Sequence, residues 1–68
     1  MTEFPNAQTF VIFSRKAQAF YAARKLRDRG IIAGMRGGRG EYEVFGFIPD
    51  RLDLARVRQM AIELGASK

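Results

Sequence analysis

The stretch MRGGRGEYEVFGFI, Met35 to Ile48, decides the fold of this 68-residue chain. Gly37-Gly38 supplies two adjacent residues that tolerate the positive φ of a two-residue hairpin turn. The residues after it, Glu41 to Ile48, alternate in type as a half-buried strand does, and a proline ends the run. The residues before it, Ile31 to Met35, are apolar enough to form the partner strand. The stretch therefore predicts an antiparallel β-hairpin.

A turn at Gly37-Gly38 also predicts which side chains share each face of the hairpin, because cross-strand partners lie on the same face. One face is apolar and is expected to form the core: Ile31, Ala33, Met35, Tyr42 and Val44. The other face combines charged and aromatic side chains: Arg36, Arg39, Glu41, Glu43, Phe45 and Phe47. No further helix is expected to cover this second face. An exposed apolar patch on a small domain usually marks an interaction site.

A strand and a helix are predicted before the hairpin. TFVIFS, Thr9 to Ser14, is rich in β-branched and aromatic residues. Ser14 is expected to cap the helix that follows, and Gly30 is expected to be the left-handed residue after its end. The apolar stripe of this helix is predicted at Ala19, Phe20, Ala23 and Leu26.

A second helix is predicted after the hairpin, in DRLDLARVRQMAIELG. Asp53 is expected to cap it, with Leu52 and Val57 forming a hydrophobic staple. Gly65 is expected to end it. Its apolar stripe is predicted at Leu54, Val57, Met60, Ala61 and Leu64.

The predicted order is therefore β-α-β-β-α, an α+β fold in which both helices cover one face of a three-stranded sheet. The crossover between the first two strands is expected to be right-handed. This arrangement resembles a ferredoxin-like fold that lacks its last strand. We expect a disordered lead at residues 1–8, a single domain at 9–65 and a tail at 66–68.

The composition argues against catalysis. The chain contains no cysteine, so it has no thiol that could act as a nucleophile or bind zinc. It also contains no histidine, which is the commonest general base and metal ligand. We expect no enzymatic activity, no metal and no cofactor. The longest uncharged run, residues 4–14, is shorter than the roughly 20 apolar residues that span a membrane. The lead lacks the features of a secretory signal. We therefore expect a cytoplasmic protein without a membrane partner.

The positive charge is concentrated in one part of the chain. The net charge is +5, and residues 15–39 contain eight basic residues but only Asp28 as an acidic one. Such a field attracts anionic partners, either an acidic protein surface or nucleic acid. We expect Arg36 and Arg39, projecting from the hairpin tip, to make the main contact. Long-range attraction is expected from three arginines of the first helix: Arg24, Arg27 and Arg29.

One motif adds a resemblance. FGFI, Phe45 to Ile48, resembles the core of the RNP1 element of RNA-recognition motifs, and FVIF in the first strand stands where the RNP2 element would lie. The resemblance implies that Phe45 and Phe47 stack on bases, with Phe13 or Phe10 as a third platform. The same element order is similar to that of SPOR-type glycan-binding domains, but their role in binding peptidoglycan needs a periplasmic location, and the expected absence of a secretory signal argues against it.

Two functional classes follow. The first is a small interaction module, such as a phage-type inhibitor or adaptor, that docks an arginine-rich face on an acidic partner. The alternative is a module that binds RNA or DNA through the arginine hairpin and the sheet aromatics. Glu41 and Glu43 on the sheet, and the absence of a fourth strand, favour the first. A homodimer is also expected, either through the open face with Phe45, Phe47 and Phe13 or through the free edge of the first strand.

Overall fold

A computed structural model describes residues 7–67 of the chain. Five elements follow one another along these residues: β1 (Gln8–Phe13), α1 (Lys16–Asp28), β2 (Ala33–Gly38), β3 (Glu41–Gly46) and α2 (Leu54–Ala66). This order confirms the predicted β-α-β-β-α fold. Residues 1–6 of the expected lead lie outside the described residues, whereas Gln8 and Ala66 belong to regular elements. No helix within residues 7–67 is long and apolar enough to cross a membrane.

The three strands form one antiparallel sheet in the order β1-β3-β2, so that β3 is central and β1 and β2 are the two edge strands. Both helices contact the sheet and each other, which places them on one face, as predicted. The core lies between the sheet and the helices. Its buried members are Phe10, Ala19, Ala22, Ala23, Leu26, Ile31, Ala33, Val44, Val57 and Ala61.

The end of α1 shows how a local signal directs the chain into the sheet. Gly30 has φ of 83°, as predicted for the residue after the helix. Its N–H donates to the carbonyl of Arg27, and the N–H of Ile31 donates to the carbonyl of Leu26, both at 3.0 Å. These two bonds satisfy carbonyls that the helix leaves unpaired. Because Ile31 takes part in this capping motif, β2 begins at Ala33 rather than at the predicted Ile31.

The start of α1 differs from the prediction. The N-cap position is Arg15, whose side chain makes no capping hydrogen bond, and Ser14 stands one residue too early to cap the helix. The predicted stripe is also wrong at Phe20, whose side chain is 53% exposed, while Ala22 is buried. Alanines bring α1 close to the sheet, and the larger ring of Phe20 remains at the flank.

α2 begins as predicted and ends later. The carboxylate of Asp53 accepts a hydrogen bond from the N–H of Arg56 at 2.8 Å, the expected capping contact. Gly65, however, lies inside α2 rather than after its end. A Cβ at this position would overlap the ring of Phe13. Gly65 therefore allows the ring of Phe13 in β1 to pack directly against α2, and it is not a helix terminator.

The predicted Gly37-Gly38 turn is wrong. β2 continues to Gly38, which pairs with Glu41, and Arg39-Gly40 forms the turn. Both turn residues have positive φ, 57° for Arg39 and 84° for Gly40, as a type I′ turn requires. The observed ladder, from Ala33–Gly46 to Gly38–Glu41, lies two residues further along β2 than predicted, and Gly40 supplies one unstrained left-handed residue in the turn.

The turn moves by two residues, so each predicted cross-strand partner moves by four. An even shift keeps every side chain on its predicted face, since the side-chain period of a strand is two. Met35 now lies opposite Val44 on the core face, and Arg36 lies opposite Glu43 on the other. The predicted pairing of Arg36 with Arg39 is therefore wrong, although the predicted division into two faces is confirmed.

Candidate partner-binding surfaces

We call the sheet face that the helices do not cover the open face. Two rows of cross-strand neighbours cross it: Ile12, Glu43 and Arg36 form one, and Thr9, Phe45 and Gly34 form the other. A third contact extends the ladder beyond the strands, since the N–H of Phe47 donates to the carbonyl of Ile32 at 2.9 Å. Ile12 and Ile32 are 58% and 66% exposed. The open face therefore presents apolar side chains from β1, from β3 and from Ile32, the residue before β2.

The centre of the open face is an ion pair between Arg36 and Glu43 of the same chain. The Nε of Arg36 donates to a carboxylate oxygen of Glu43 at 2.8 Å, and the hydroxyl of Thr9 donates to the other oxygen. These two hydrogen bonds, with that of Arg36 the stronger influence, lower the pKa of Glu43 below its ordinary value. The negative charge at the centre of the sheet is thus neutralised within the chain.

Arg36 also covers an aromatic ring. Its guanidinium carbon lies 4.4 Å from the centre of the Phe45 ring, a cation–π geometry. Arg36 therefore lies on the open face, over the Phe45 ring. The prediction that it projects from the hairpin tip is wrong. Of the two arginines, only Arg39 lies in the turn, and its side chain is exposed.

The expected placement of Phe13 or Phe10 on the open face is wrong. Phe10 is fully buried, and the ring of Phe13 packs against Gly65 of α2. The cause is a β-bulge between Thr9 and Val11, which leaves Phe10 as an extra residue opposite β3. An extra residue reverses the alternation of side chains. Thr9 and Ile12, rather than Phe13, therefore face the open side.

A small apolar pocket lies at one end of the open face. It has a volume of about 210 Å³ and is lined by Ile32, Ala33, Gly34, Phe45, Gly46 and Phe47. Gly34 makes the pocket possible, because the edge of the Phe45 ring lies over the position where Gly34 lacks a side chain. Ile32 lies just before β2, so the pocket opens beside the outer edge of the sheet.

Arg27 of α1 lies at that same edge. The Nη1 of Arg27 donates to the carbonyl of Ala33, the first residue of β2, at 2.9 Å. Three residues share this side of α1 with Arg27, because they precede it by about one, two and three helical turns: Arg24, Phe20 and Lys16. All four are exposed. We call Lys16, Arg24 and Arg27 the basic flank.

The predicted arginine group is extended rather than clustered. Arg27 contacts the first residue of β2, and Arg39 follows its last residue. Six residues of extended chain separate these points by about 20 Å. Arg29, the C-cap residue of α1, lies at the Arg27 end. The arginines thus mark both ends of the outer edge of β2, and Arg36 belongs to the open face instead.

The outer edge of β1 is blocked by two features. The bulge at Phe10 interrupts the regular spacing of the strand, and the Nε of Arg58 donates to the carbonyl of Phe10 at 3.0 Å. Natural edge strands use bulges and charged side chains to prevent unwanted pairing. The role of Arg58 has no signal in the sequence, because it depends on α2 packing beside β1.

Within residues 7–67, no group of three or more histidine, cysteine or acidic side chains is placed to hold a metal ion. Comparisons of the chain with protein-family models, with curated proteins and with solved structures give no match. The shape and charge of the surfaces are therefore the basis for a functional proposal.

Proposed function

We propose that the chain is a small non-enzymatic interaction module, acting as an inhibitor or adaptor, that docks an acidic segment of a partner protein along the outer edge of β2. One observation carries this proposal. The basic flank and Arg39 line this edge, and the single carboxylate of α1, Asp28, follows Arg24 by one helical turn and lies 4.0 Å from Lys25. Among residues 7–67, this edge thus combines four cations, Lys16, Arg24, Arg27 and Arg39, with two nearby carboxylates, Asp28 and Glu41, and the excess of positive charge attracts an acidic partner.

The open face supports a protein partner over a nucleic acid. Its central charge, Glu43, is already paired with Arg36, and a second carboxylate, Glu41, lies beside the hairpin turn. A base that stacked on Phe45 would have to displace the guanidinium of Arg36. Neutral apolar surface of this kind is typical of protein interfaces. The cytoplasmic location expected from the sequence is part of the proposal.

The proposal is tested by comparing two kinds of probe. One probe is a short peptide in which glutamate alternates with valine, and the other is single-stranded RNA or DNA of random sequence. We expect the peptide to bind, and the Arg24→Glu variant to bind it about tenfold more weakly. Arg51→Glu is the matched control, because it makes the same charge change at an exposed position before α2.

Two results would overturn the proposal. Equal losses in Arg24→Glu and Arg51→Glu would show that only net charge matters. Tight oligonucleotide binding that falls steeply with salt, without peptide binding, would favour the nucleic-acid alternative.

A further inference from the structure

We infer that the acidic segment binds as an additional β-strand on the outer edge of β2, with an apolar side chain in the pocket beside Gly34. This inference rests on the proposed function and specifies how the partner is recognised. Three features of the β2 edge converge on it: the direction of the backbone groups, the space above Gly34 and the charge of the flank.

The backbone of β2 offers hydrogen-bonding groups on its outer side. The carbonyl of Ile32 points toward β3, because it accepts from the N–H of Phe47. Backbone groups of successive residues in a strand point to opposite sides, so those of Ala33 and Met35 point away from β3. Arg27 already occupies the carbonyl of Ala33. Both backbone groups of Met35 face outward, where an added strand would pair.

The pocket gives this strand a place for one apolar side chain. In an added strand, the residue opposite Gly34 points to the open face, as Gly34 does. Since Gly34 has no side chain, a large apolar group from the partner can cross it and reach Phe45 and Ile32. Peptides that add a strand to a sheet use the backbone for affinity and such pockets for specificity.

The basic flank specifies the alternate residues of the strand. Residues next to the pocket-filling one point to the helix side of the sheet, where the basic flank lies with the exposed ring of Phe20. Arg27 donates one of its five N–H groups to the carbonyl of Ala33, and its other N–H groups are suited to a carboxylate. The expected partner segment therefore alternates acidic and apolar residues.

Charge selects such a partner over a second copy of the chain. Antiparallel pairing of two β2 edges would place the basic flank of one copy against that of the other, and like charges in close contact oppose association. The β1 edge does not compete, because the bulge and Arg58 block it.

The inference is tested by amide hydrogen exchange with the glutamate–valine peptide as the probe. In the free protein, the amide of Met35 should exchange faster than those of Gly34 and Arg36, which face β3. On binding, exchange at Met35 should slow by about tenfold or more, since a new backbone bond must open first. The control is the same peptide with alternate backbone amides N-methylated, which removes the donors on one edge and should abolish binding.

A pair of glycine variants tests the pocket. Gly34→Ala adds a methyl group at ordinary contact distance from Phe45, 3.5 Å, in the path of the incoming side chain. We expect it to weaken peptide binding about tenfold without loss of stability. Gly38→Ala is the matched control on the same face of β2, where an added Cβ has no neighbour within 4 Å, and it should bind normally.

The outcomes separate this inference from the proposed function. If the peptide binds and Arg24→Glu weakens it, but Met35 exchange is unchanged and the N-methylated peptide binds equally, strand addition is wrong and the docking function stands. If the peptide does not bind at all, both are wrong.

Discussion

Arg39 holds a backbone conformation that its side chain disfavours. It is the only non-glycine residue with positive φ among residues 7–67. A type I′ turn prefers asparagine or glycine at this position. Conformational strain of this kind is found more often at functional sites than elsewhere. Its exposed guanidinium at the end of the β2 edge gives a reason for arginine here, because it extends the positive charge of the basic flank.

Replacing this residue should separate stability from binding. We expect Arg39→Asn to raise the free energy of unfolding by about 1 kcal/mol, because asparagine adopts left-handed backbone more readily. The same change should weaken binding of the acidic peptide. Urea denaturation and a peptide titration measure the two effects. A loss of stability would show instead that the Arg39 side chain makes a stabilising contact within the chain.

Glu43 makes stability depend on pH. Its pKa is lowered by the hydrogen bonds from Arg36 and Thr9. A carboxyl group with a lowered pKa stabilises the fold above its ordinary pKa, and this contribution is lost as the pH falls through the lowered value. We expect Glu43→Gln to cost about 1 kcal/mol at pH 7 and progressively less in acid.

Denaturation of both proteins at neutral and acid pH checks this expectation, with Glu41→Gln as the control at the exposed carboxylate nearer the turn. A Glu43→Gln deficit that persists unchanged below the ordinary pKa would contradict it. Because Arg36 is the partner of Glu43 in this ion pair, removing Arg36 should lower stability as well as alter the surface.

At the scale of elements, the contact between β1 and α2 depends on how closely the strand can pack against the helix. Phe13 fits against α2 only because Gly65 has no side chain. The contact holds the end of β1 against α2, after the bulge has turned Phe13 away from the open face. A glycine inside a helix normally lowers helix stability by about 1 kcal/mol relative to alanine. Here close packing opposes that preference.

A pair of substitutions measures this opposition. We expect Gly65→Ala to destabilise the protein by about 1 kcal/mol or more, because overlap with the ring outweighs the gain in helix propensity. In a Phe13→Ala background, where the ring is absent, the same change should be stabilising. Thermal or urea unfolding of the four proteins gives the coupling. Stabilisation by Gly65→Ala in both backgrounds would refute the packing role of this glycine.

At the scale of the whole molecule, one face of the sheet is covered and the other is not. A domain of this size buries only about 60% of the surface of its unfolded chain. An apolar face left uncovered forgoes burial that would stabilise the fold, so it usually marks an interaction site. Ile12, Ile32, Phe45 and Phe47 contribute to that face, while the β1 edge is blocked. In the absence of the acidic segment, which would occupy the pocket on the same face, we therefore expect the homodimer predicted from the sequence to form through the open face.

Sedimentation at micromolar concentration tests this expectation. We expect a species near twice 7.7 kDa. Phe47→Asp should raise the dissociation constant at least about tenfold, because an unpaired carboxylate is costly in an apolar interface. Phe20→Asp is the control on the helix side and should not change the dimer. A monomer at every concentration would contradict the prediction.

The sequence by itself determined the element order, both helix signals at Gly30 and Asp53, and the division of the hairpin into two faces. These features depend on residues within a few positions of one another, where capping chemistry and the two-residue period of a strand act. The division survived the wrong turn because the pairing moved by an even number of residues. The sequence also predicted that one sheet face would be left uncovered and that basic residues would be concentrated between positions 15 and 39.

Only the tertiary structure decided where those residues act. The bulge at Phe10 removed Phe13 from the open face, and Arg58 reached a carbonyl 48 residues away in sequence. Arg36 became the partner of Glu43 once the ladder extended past Gly37. Arg27, predicted only to add long-range attraction, instead marks the start of the β2 edge. Each outcome depends on packing between elements distant in sequence, and local periodicity carries no information about such contacts.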